Sequence, residues 1–312
     1  MSKKTVKNFI KIIIGKRLIS FYRTYAVVPV LLFNELHRII RHIRLRQRYA
    51  EDPEVLLCGL RTCAHIVDKG LQSDNWQEGR GQAAYKRLCK QIERVNDLDI
   101  IIDPSYQWAC GKKTEYEEIQ KLGSTGHHPI EHTSIKTTKD DLQRLMQSRR
   151  SIRSFEDRSI APEILKELAN VMNWSPTSCN RQPAKLFITQ NPEKVTASLK
   201  QCAGATCFGG VTPCFIAVCA DTRFYMLKDR NLPFIDVSLG LQNMLLLAHL
   251  QGIEGTPLNW MHHTSKENAI LREVLNIPEH YLIILNLVMG YPVELAPAPG
   301  RKSCDLGYVI VD

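Results

Sequence analysis

Three cations and a hydroxyl fall within five residues in the run Arg149-Arg150-Ser151-Ile152-Arg153. Guanidinium groups donate in a fixed fork that suits phosphate oxygens, and a flanking hydroxyl adds a donor. The same arginines also suit a solvated helix end that complements the helix dipole. A second polar group follows in the stretch from Ser175 to Pro183, SPTSCNRQP, which is rich in hydroxyls and amides. Such a loop fits the rim of a polar ligand, and it equally fits ordinary turn chemistry. The third piece is GIEGTPLNW, from Gly252 to Trp260, a turn leading into an extended segment whose backbone amides can face a flat ring. The fourth is Met289-Gly290-Tyr291-Pro292, followed by a tail with Arg301 and Lys302 that can return another cation to a phosphate. No side chain stands out as a nucleophile or general acid.

Metal and disulfide chemistry are poorly supported. His127, His128 and His132 are close together but lack carboxylate or thiol partners, so solvent-exposed histidines are the better reading and no metal is expected. The ten cysteines contain no CxxC pair; Cys58 and Cys63, Cys202 and Cys207, and Cys214 and Cys219 are each five apart. Reduced thiols in a cytoplasmic protein fit this pattern best.

Helices and strands must position the four pieces. Asp52 to Leu71, Gln82 to Leu98 and Thr114 to Leu122 read as helices, with Pro104 ending the segment from Ile100 to Tyr106. Gly123 to Ser134 is polar and carries Gly and Pro, which sets a domain boundary there. Beyond it, Thr138 caps a helix, Pro162 opens another running to about Asn173, and Pro192 to Gln201 is a third. Phe234 to Gln251 reads as a long buried helix, and Ser265 caps a helix to Leu275. Lys185 to Thr189, Pro213 to Ala220 and Tyr281 to Met289 read as strands. The expected organisation is a basic amphipathic arm over 1–50, a helical region over 51–134 and a mixed domain over 135–312.

The formal charge of +9 belongs to the arm. Residues 1–50 hold twelve Lys or Arg against one acid, Glu35, a net +11, while the remainder holds 29 basic and 31 acidic residues, a net −2. The longest apolar run there, Ala26 to Phe33, contains Pro29 and is far shorter than the roughly 20 residues a spanning helix needs. The fit to a signal peptide is poor. An amphipathic helix on an anionic membrane surface and helices packed on the rest of the protein remain equal readings. Nucleic acid is disfavoured, because no binding motif or interleaved aromatic pattern accompanies the charge.

The order RRSxRxF, SPTSxNxQP, a long helix leading to G-x-x-x-x-P-L-N-W, then GYP and a basic tail, resembles the FMN-dependent nitroreductase family over residues 140–312. The resemblance implies an α+β fold with an antiparallel-dominated sheet between helices, preceded here by the helical N-terminal region. It also implies an intertwined homodimer with FMN at the subunit interface, and NADH or NADPH as hydride donor to a small organic acceptor of nitro, quinone or enone type. Carried across, Arg149 and Ser151 match phosphate ligands with Arg150 beside them, and Arg153 matches a basic residue near the flavin pyrimidine edge and ribityl chain. Pro176, Thr177, Ser178 and Asn180 match a loop given to the partner subunit. Pro257, Leu258, Asn259 and Trp260 match the segment along the flavin ring, and Arg301 the C-terminal phosphate ligand. Ala184 stands where many members have an aromatic residue, and the link from Asp221 to Phe234 is short where many have a lid. The N-terminal helices then become candidates to cover the pocket.

RTCAHIVDKGL, residues 61–71, resembles a stretch of nitroreductase-like proteins with N-terminal extensions tied to polysaccharide synthesis. It places His65, Asp68 and Lys69 near the substrate; helix-surface residues capped at Gly70 are the plainer reading. A specialised biosynthetic flavoenzyme is therefore one alternative, and a redox-idle, membrane-associated adaptor is another.

Overall fold

The computed structural model describes residue 25 and residues 28–72, 77–96, 98, 103–122, 136–208, 210–261, 263–303 and 307–311. The expected boundary over 123–134, with its three histidines, lies outside the described residues, as does most of the arm before residue 28. Contacts divide the chain into two compact units, Met1–Ala50 and Glu51–Asp312.

In the first unit, α1 spans Val28–Arg48. Val28, Leu32, Phe33, Leu36, Ile40 and Ile43 are exposed along it. At 100° per residue they fall within an arc of about 140°; Arg38, Arg41 and Arg48 face away from it, Arg44 lies beside Phe33 at one border and Arg46 in line with Val28 at the other. None of the described helices is long and apolar enough to cross a membrane.

The second unit begins with α2 (Pro53–Leu71), α3 (Gln82–Asn96) and α4 (Pro104–Leu122). Asp52 caps α2 by accepting from the Glu54 N–H at 3.1 Å, with Pro53 in the first turn. The three helices share a core of Leu60, Ala64, Val67, Leu88, Val95 and Ala109. α4 corrects the expectation of a short helix from Thr114: Pro104 starts it, and Asp103 accepts from the Ser105 N–H at 2.7 Å. Proline is compatible with a helix's first turn, where no intrahelical N–H is needed.

The remaining elements form an antiparallel sheet between helices, as the resemblance implies. α5 (Lys139–Ser148) opens on a capping box between Thr138 and Asp141. α6 (Pro162–Val171), β1 (Ala184–Thr189), α7 (Pro192–Leu199), β2 (Cys214–Asp221), α8 (Leu232–Leu250), β3 (Glu254–Leu258), α9 (Ser265–Leu275) and β4 (Tyr281–Gly290) follow. Strand order is β1-β2-β4-β3, every pair antiparallel. All eight residues of β2 are buried because both faces are covered. Ile216 and Val218 join a core with Leu168, Val237 and Met244 of α6 and α8. Phe215, Ala217 and Cys219 join Val195 and Leu271 of α7 and α9. The cap of α9 is Thr264 rather than Ser265, since only Thr264 has a glutamate, Glu267, three residues on to complete the box.

Candidate functional site

The cationic run 149–153 leaves α5 at Arg149, whose backbone turns out of the helix at φ −55°, ψ 135°. Two side chains of the edge strand β3 hold it. Glu254 Oε2 accepts from the Arg150 N–H at 3.4 Å, and the Thr256 hydroxyl donates to the Ile152 carbonyl at 2.5 Å. Glu254 is buried and also lies 2.5 Å from His249 Nδ1, whose Nε2 is 2.7 Å from the Ser148 hydroxyl. A carboxylate can only accept, so the His249 Nδ1 carries a proton toward it. Serine, imidazole and carboxylate stand in the order of a hydrolytic triad. However, Ser148 ends a helix, where carbonyls such as that of Leu145 crowd its hydroxyl at 3.2 Å and disfavour a developing oxyanion. The array serves as a clamp between α5, α8, β3 and the cationic run.

Within that run the arginines differ. Arg150 folds its guanidinium back on the carbonyls of Gln147 and, at 2.8 Å, Arg149. Ile152 enters the core beside Phe155. Arg149 keeps one buried guanidinium nitrogen, Nη1, with no hydrogen-bond partner among the described residues. A buried donor left unpaired costs about 1–3 kcal/mol, more when charged. An anion at this point would remove that penalty; the Ser151 side chain two residues on is half-exposed. Arg153 is exposed, its Nη1 3.4 Å from the Ser151 carbonyl. Arg301 is exposed in the tail and bonds the Gly300 carbonyl at 3.3 Å; no described contact brings it to Arg149.

The loop 175–183 is held apart from this run. Gly240 of α8 lets the start of the loop approach: a Cβ there would lie 2.9 Å from the Met172 carbonyl oxygen and 3.2 Å from the Ser175 hydroxyl. Asp236 accepts from the Ser178 N–H at 3.1 Å and its hydroxyl at 3.2 Å, while Tyr225 donates to the other Asp236 oxygen at 2.6 Å. The Thr177 hydroxyl accepts from the Gln182 N–H at 3.2 Å, and Asn180 Oδ1 accepts from Gln182 Nε2 at 2.9 Å. Pro176 is exposed.

The segment 257–260 alternates. Leu258 and Trp260 are buried in the sheet's second core, whereas Pro257 and Asn259 are exposed. β3 is an edge strand, which tolerates Pro257 and leaves one backbone edge unpaired by any strand. Asn259 accepts from the Met261 N–H at 2.8 Å. Trp260 stacks on His263 with centroids 4.7 Å apart, and its buried indole N–H has no described partner.

The other reactive side chains are quiet. Burial pushes the Cys58 thiol up to about 11 and those of Cys202 and Cys214 up to about 12, so they stay protonated packing groups at neutral pH. No group of three or more metal-ligating side chains occurs among the described residues. Lys112 pairs with Asp68 at 2.8 Å, placing part of the 61–71 motif in an ion pair on the helical region.

Sequence reasoning missed the partners of these segments. His249 and Glu254 are separated by a turn at Gly252, and Glu254 lies 104 residues from Arg150. The one available signal was a carboxylate inside an otherwise apolar stretch.

An antiparallel sheet between helix layers, with a cationic run clamped on its edge strand, defines an α+β domain. Residues 146–208 and 200–291 match the model of the nitroreductase family. This part of the chain is a nitroreductase-family domain. A protein of Archaeoglobus fulgidus with the provisional name NADH dehydrogenase/NAD(P)H nitroreductase is 29% identical over 158 residues, covering 50% of this chain and 87% of that protein. The NAD(P)H-dependent FMN reductase of Bacillus subtilis is 24% identical over 161 residues, covering 46% of this chain and 63% of that protein. Among solved structures, an FMN-dependent nitroreductase from Clostridium difficile aligns with a TM-score of 0.46 at 21% identity, over 54% of this chain and 97% of that one.

Proposed function

We propose that this chain is an FMN-dependent oxidoreductase that carries hydride from NADH or NADPH to a small organic acceptor of nitro, quinone or enone type. The carrying observation is the buried, unpartnered guanidinium nitrogen of Arg149, in a run clamped by Glu254 and Thr256. Those residues fit the phosphate of FMN. When bound, FMN supplies reversible hydride chemistry at its ring, and the protein supplies binding, orientation and charge. Arg149 and Ser151 hold the phosphate, with Arg150 bracing the run from behind and Arg301 joining from the tail. Arg153 lends positive charge to the pyrimidine edge. Pro257, Leu258, Asn259 and Trp260 offer their backbone edge to the ring, and Pro176, Thr177, Ser178 and Asn180 reach the site of a second copy.

A homodimer is part of this reading. Leu142, Met146, Trp174, Ile235 and Leu239 are exposed on α5, α8 and the turn after α6, apolar surface that a second copy would bury. In this scheme 1–50 is an arm, 51–134 a helical region and 135–312 the flavin domain. Reduced nicotinamide and reduced thiols favour the cytoplasm. The exposed apolar arc of α1, bordered by the exposed Arg44 and Arg46, favours contact with an anionic membrane face. Full-length chain should pellet with anionic liposomes and a chain lacking residues 1–50 should not; equal pelleting removes that contact.

A second reading, a flavoenzyme dedicated to one biosynthetic acceptor, is favoured by the docking of α2 on the short link after β2. Arg223 of that link pairs with Asp52 at 3.0 Å and Glu54 at 3.2 Å. The test of the main reading is an anaerobic absorbance spectrum of the purified protein before and after adding NADH or NADPH. A flavin spectrum that bleaches is expected. A flavin that stays oxidised turns the assignment toward the dedicated enzyme, and a colourless protein that takes up no FMN leaves only the redox-idle adaptor.

A further inference from the structure

Among the described residues, four non-glycine positions have positive φ, and three of them fall in one stretch: Cys179 at 54°, Asn180 at 53° and Gln182 at 51°. Left-handed backbone is disfavoured for residues with a Cβ and persists only where the surroundings over-determine it. Part of the restraint comes from the flavin domain itself. Asp236 holds Ser178, and Asp229 takes Arg181 Nη2 at 3.1 Å. One restraint comes from outside it. Arg61 of α2, buried to 7% exposure, donates from Nη2 to the Arg181 carbonyl at 3.0 Å across 120 positions of sequence. Its Nη1 lies 3.5 Å from the Ser105 hydroxyl of α4.

The Arg181 carbonyl belongs to the peptide that joins Arg181 to Gln182. A donor fixed on that oxygen sets the orientation of the peptide plane, and with it the backbone on both sides. The contact therefore acts where the left-handed stretch ends. Arg61 also opens the motif at 61–71, whose His65, Asp68 and Lys69 lie one to two turns further along the same helix.

We propose that Arg61 is a positioning residue for the cofactor site: from α2 it clamps the Arg181–Gln182 peptide and so holds Thr177, Ser178 and Asn180 in the conformation that the flavin site requires. The helical region is then part of the cofactor site and not a separable appendage. This inference rests on the flavin reading above.

The test titrates FMN into the full-length apoprotein, read by quenching of flavin fluorescence, with the denaturant midpoint of each variant measured alongside. Arg61→Gln is expected to weaken FMN about tenfold, the scale of one lost charge-assisted hydrogen bond. Arg61→Lys keeps the charge and stem but loses the fork that serves Ser105 and Arg181 together, and should fall between Gln and wild type. Cys179→Gly alone should bind as wild type. In the Arg61→Gln background it should recover part of the lost affinity, because glycine adopts the left-handed conformation without the steric penalty. That rescue is a readout a general loss of stability would not give. Equal FMN affinity in wild type and both Arg61 variants overturns the proposal. So does a loss that follows the denaturant midpoint and ignores Cys179→Gly. A wild-type chain that takes up no FMN sinks the flavin reading itself, before any variant is compared. Should Arg61→Gln fail to fold, Arg61→Lys with and without Cys179→Gly decides the matter by the same comparison.

Discussion

Helix α2 has two faces that are bound in different ways. Toward α3 and α4 it presents Leu60, Ala64 and Val67, all buried in an apolar core. Toward the sheet domain it presents Asp52, Glu54 and Arg61, which meet Arg223 and the Arg181 carbonyl. Apolar packing is non-directional and scales with area removed from water. Ion pairs and charge-assisted hydrogen bonds add little net stability when desolvation is counted, but they fix geometry. The first face makes the helical region a folded body, and the second sets its register on the loop and link beside the proposed site.

The largest effects should separate these roles. Arg223 is 3% exposed and Asp221 1% exposed, joined at 2.6 Å. Arg223→Ala leaves that carboxylate buried without its cation and should cost about 3–5 kcal/mol in denaturant unfolding. Leu60→Ala, at a position with no exposure, should cost about 2–5 kcal/mol through transfer and cavity. The difference lies in repair. Arg223→Met with Asp221→Leu replaces both charges by apolar groups and should return most of the stability, because Asp52 and Glu54 keep access to water. It should not return FMN affinity if register is what the ion cluster provides. Full recovery of both would show the two faces to be equivalent and end the comparison.

Much of the apolar side was legible in the sequence. The helical spacing of Leu56, Leu60, Ala64 and Val67 announced α2, and the apolar run from Pro213 to Ala220 announced a strand, which the fold then buries on both faces. Caps were legible where a box could be written down, as at Thr138, and slipped by one residue at Thr264, where Ser265 offered the same hydroxyl without the glutamate. The helix at Pro104 was lost because its apolar pattern is weak and a proline reads as a stop until its position in the first turn is known. The four candidate segments could be read because each is local. Their fixings were not. Arg61 to Arg181, Arg223 to Asp52 and Arg150 to Glu254 each join residues more than 100 positions apart, and polar pairs of that kind carry no periodic signature.

The smallest effect is a pH dependence at the polar face, and it tests whether that face senses its own charges. His280 sits against the Tyr281 ring, centroids 4.3 Å apart, near Asp221, Arg223, Glu54 and Asp52. Burial, with Arg223 adding to it, holds its imidazole below the ordinary value of 6.5, while the carboxylates oppose the shift in part. The folded protein therefore takes up this proton less readily than the unfolded chain. Above pH 6.5 both states are neutral at His280 and its contribution is level; as pH falls through 6.5 the unfolded chain binds the proton first and stability is lost. Asp221 works in the opposite sense. Its carboxyl is raised by burial from 3.8, so the folded state holds that proton more readily, and stability from this group grows as pH falls toward the unfolded value and is lost as pH rises through the folded one. The two groups therefore act in opposite senses. Denaturant midpoints measured between pH 8 and pH 5.5 should fall with acid for wild type, and His280→Gln should flatten part of that slope while matching wild type at pH 8. A variant with an unchanged slope would mean that the imidazole is as easily protonated in the fold as out of it. The polar face would then be wet enough to exchange its partners, and a face that exchanges partners cannot hold α2 in register.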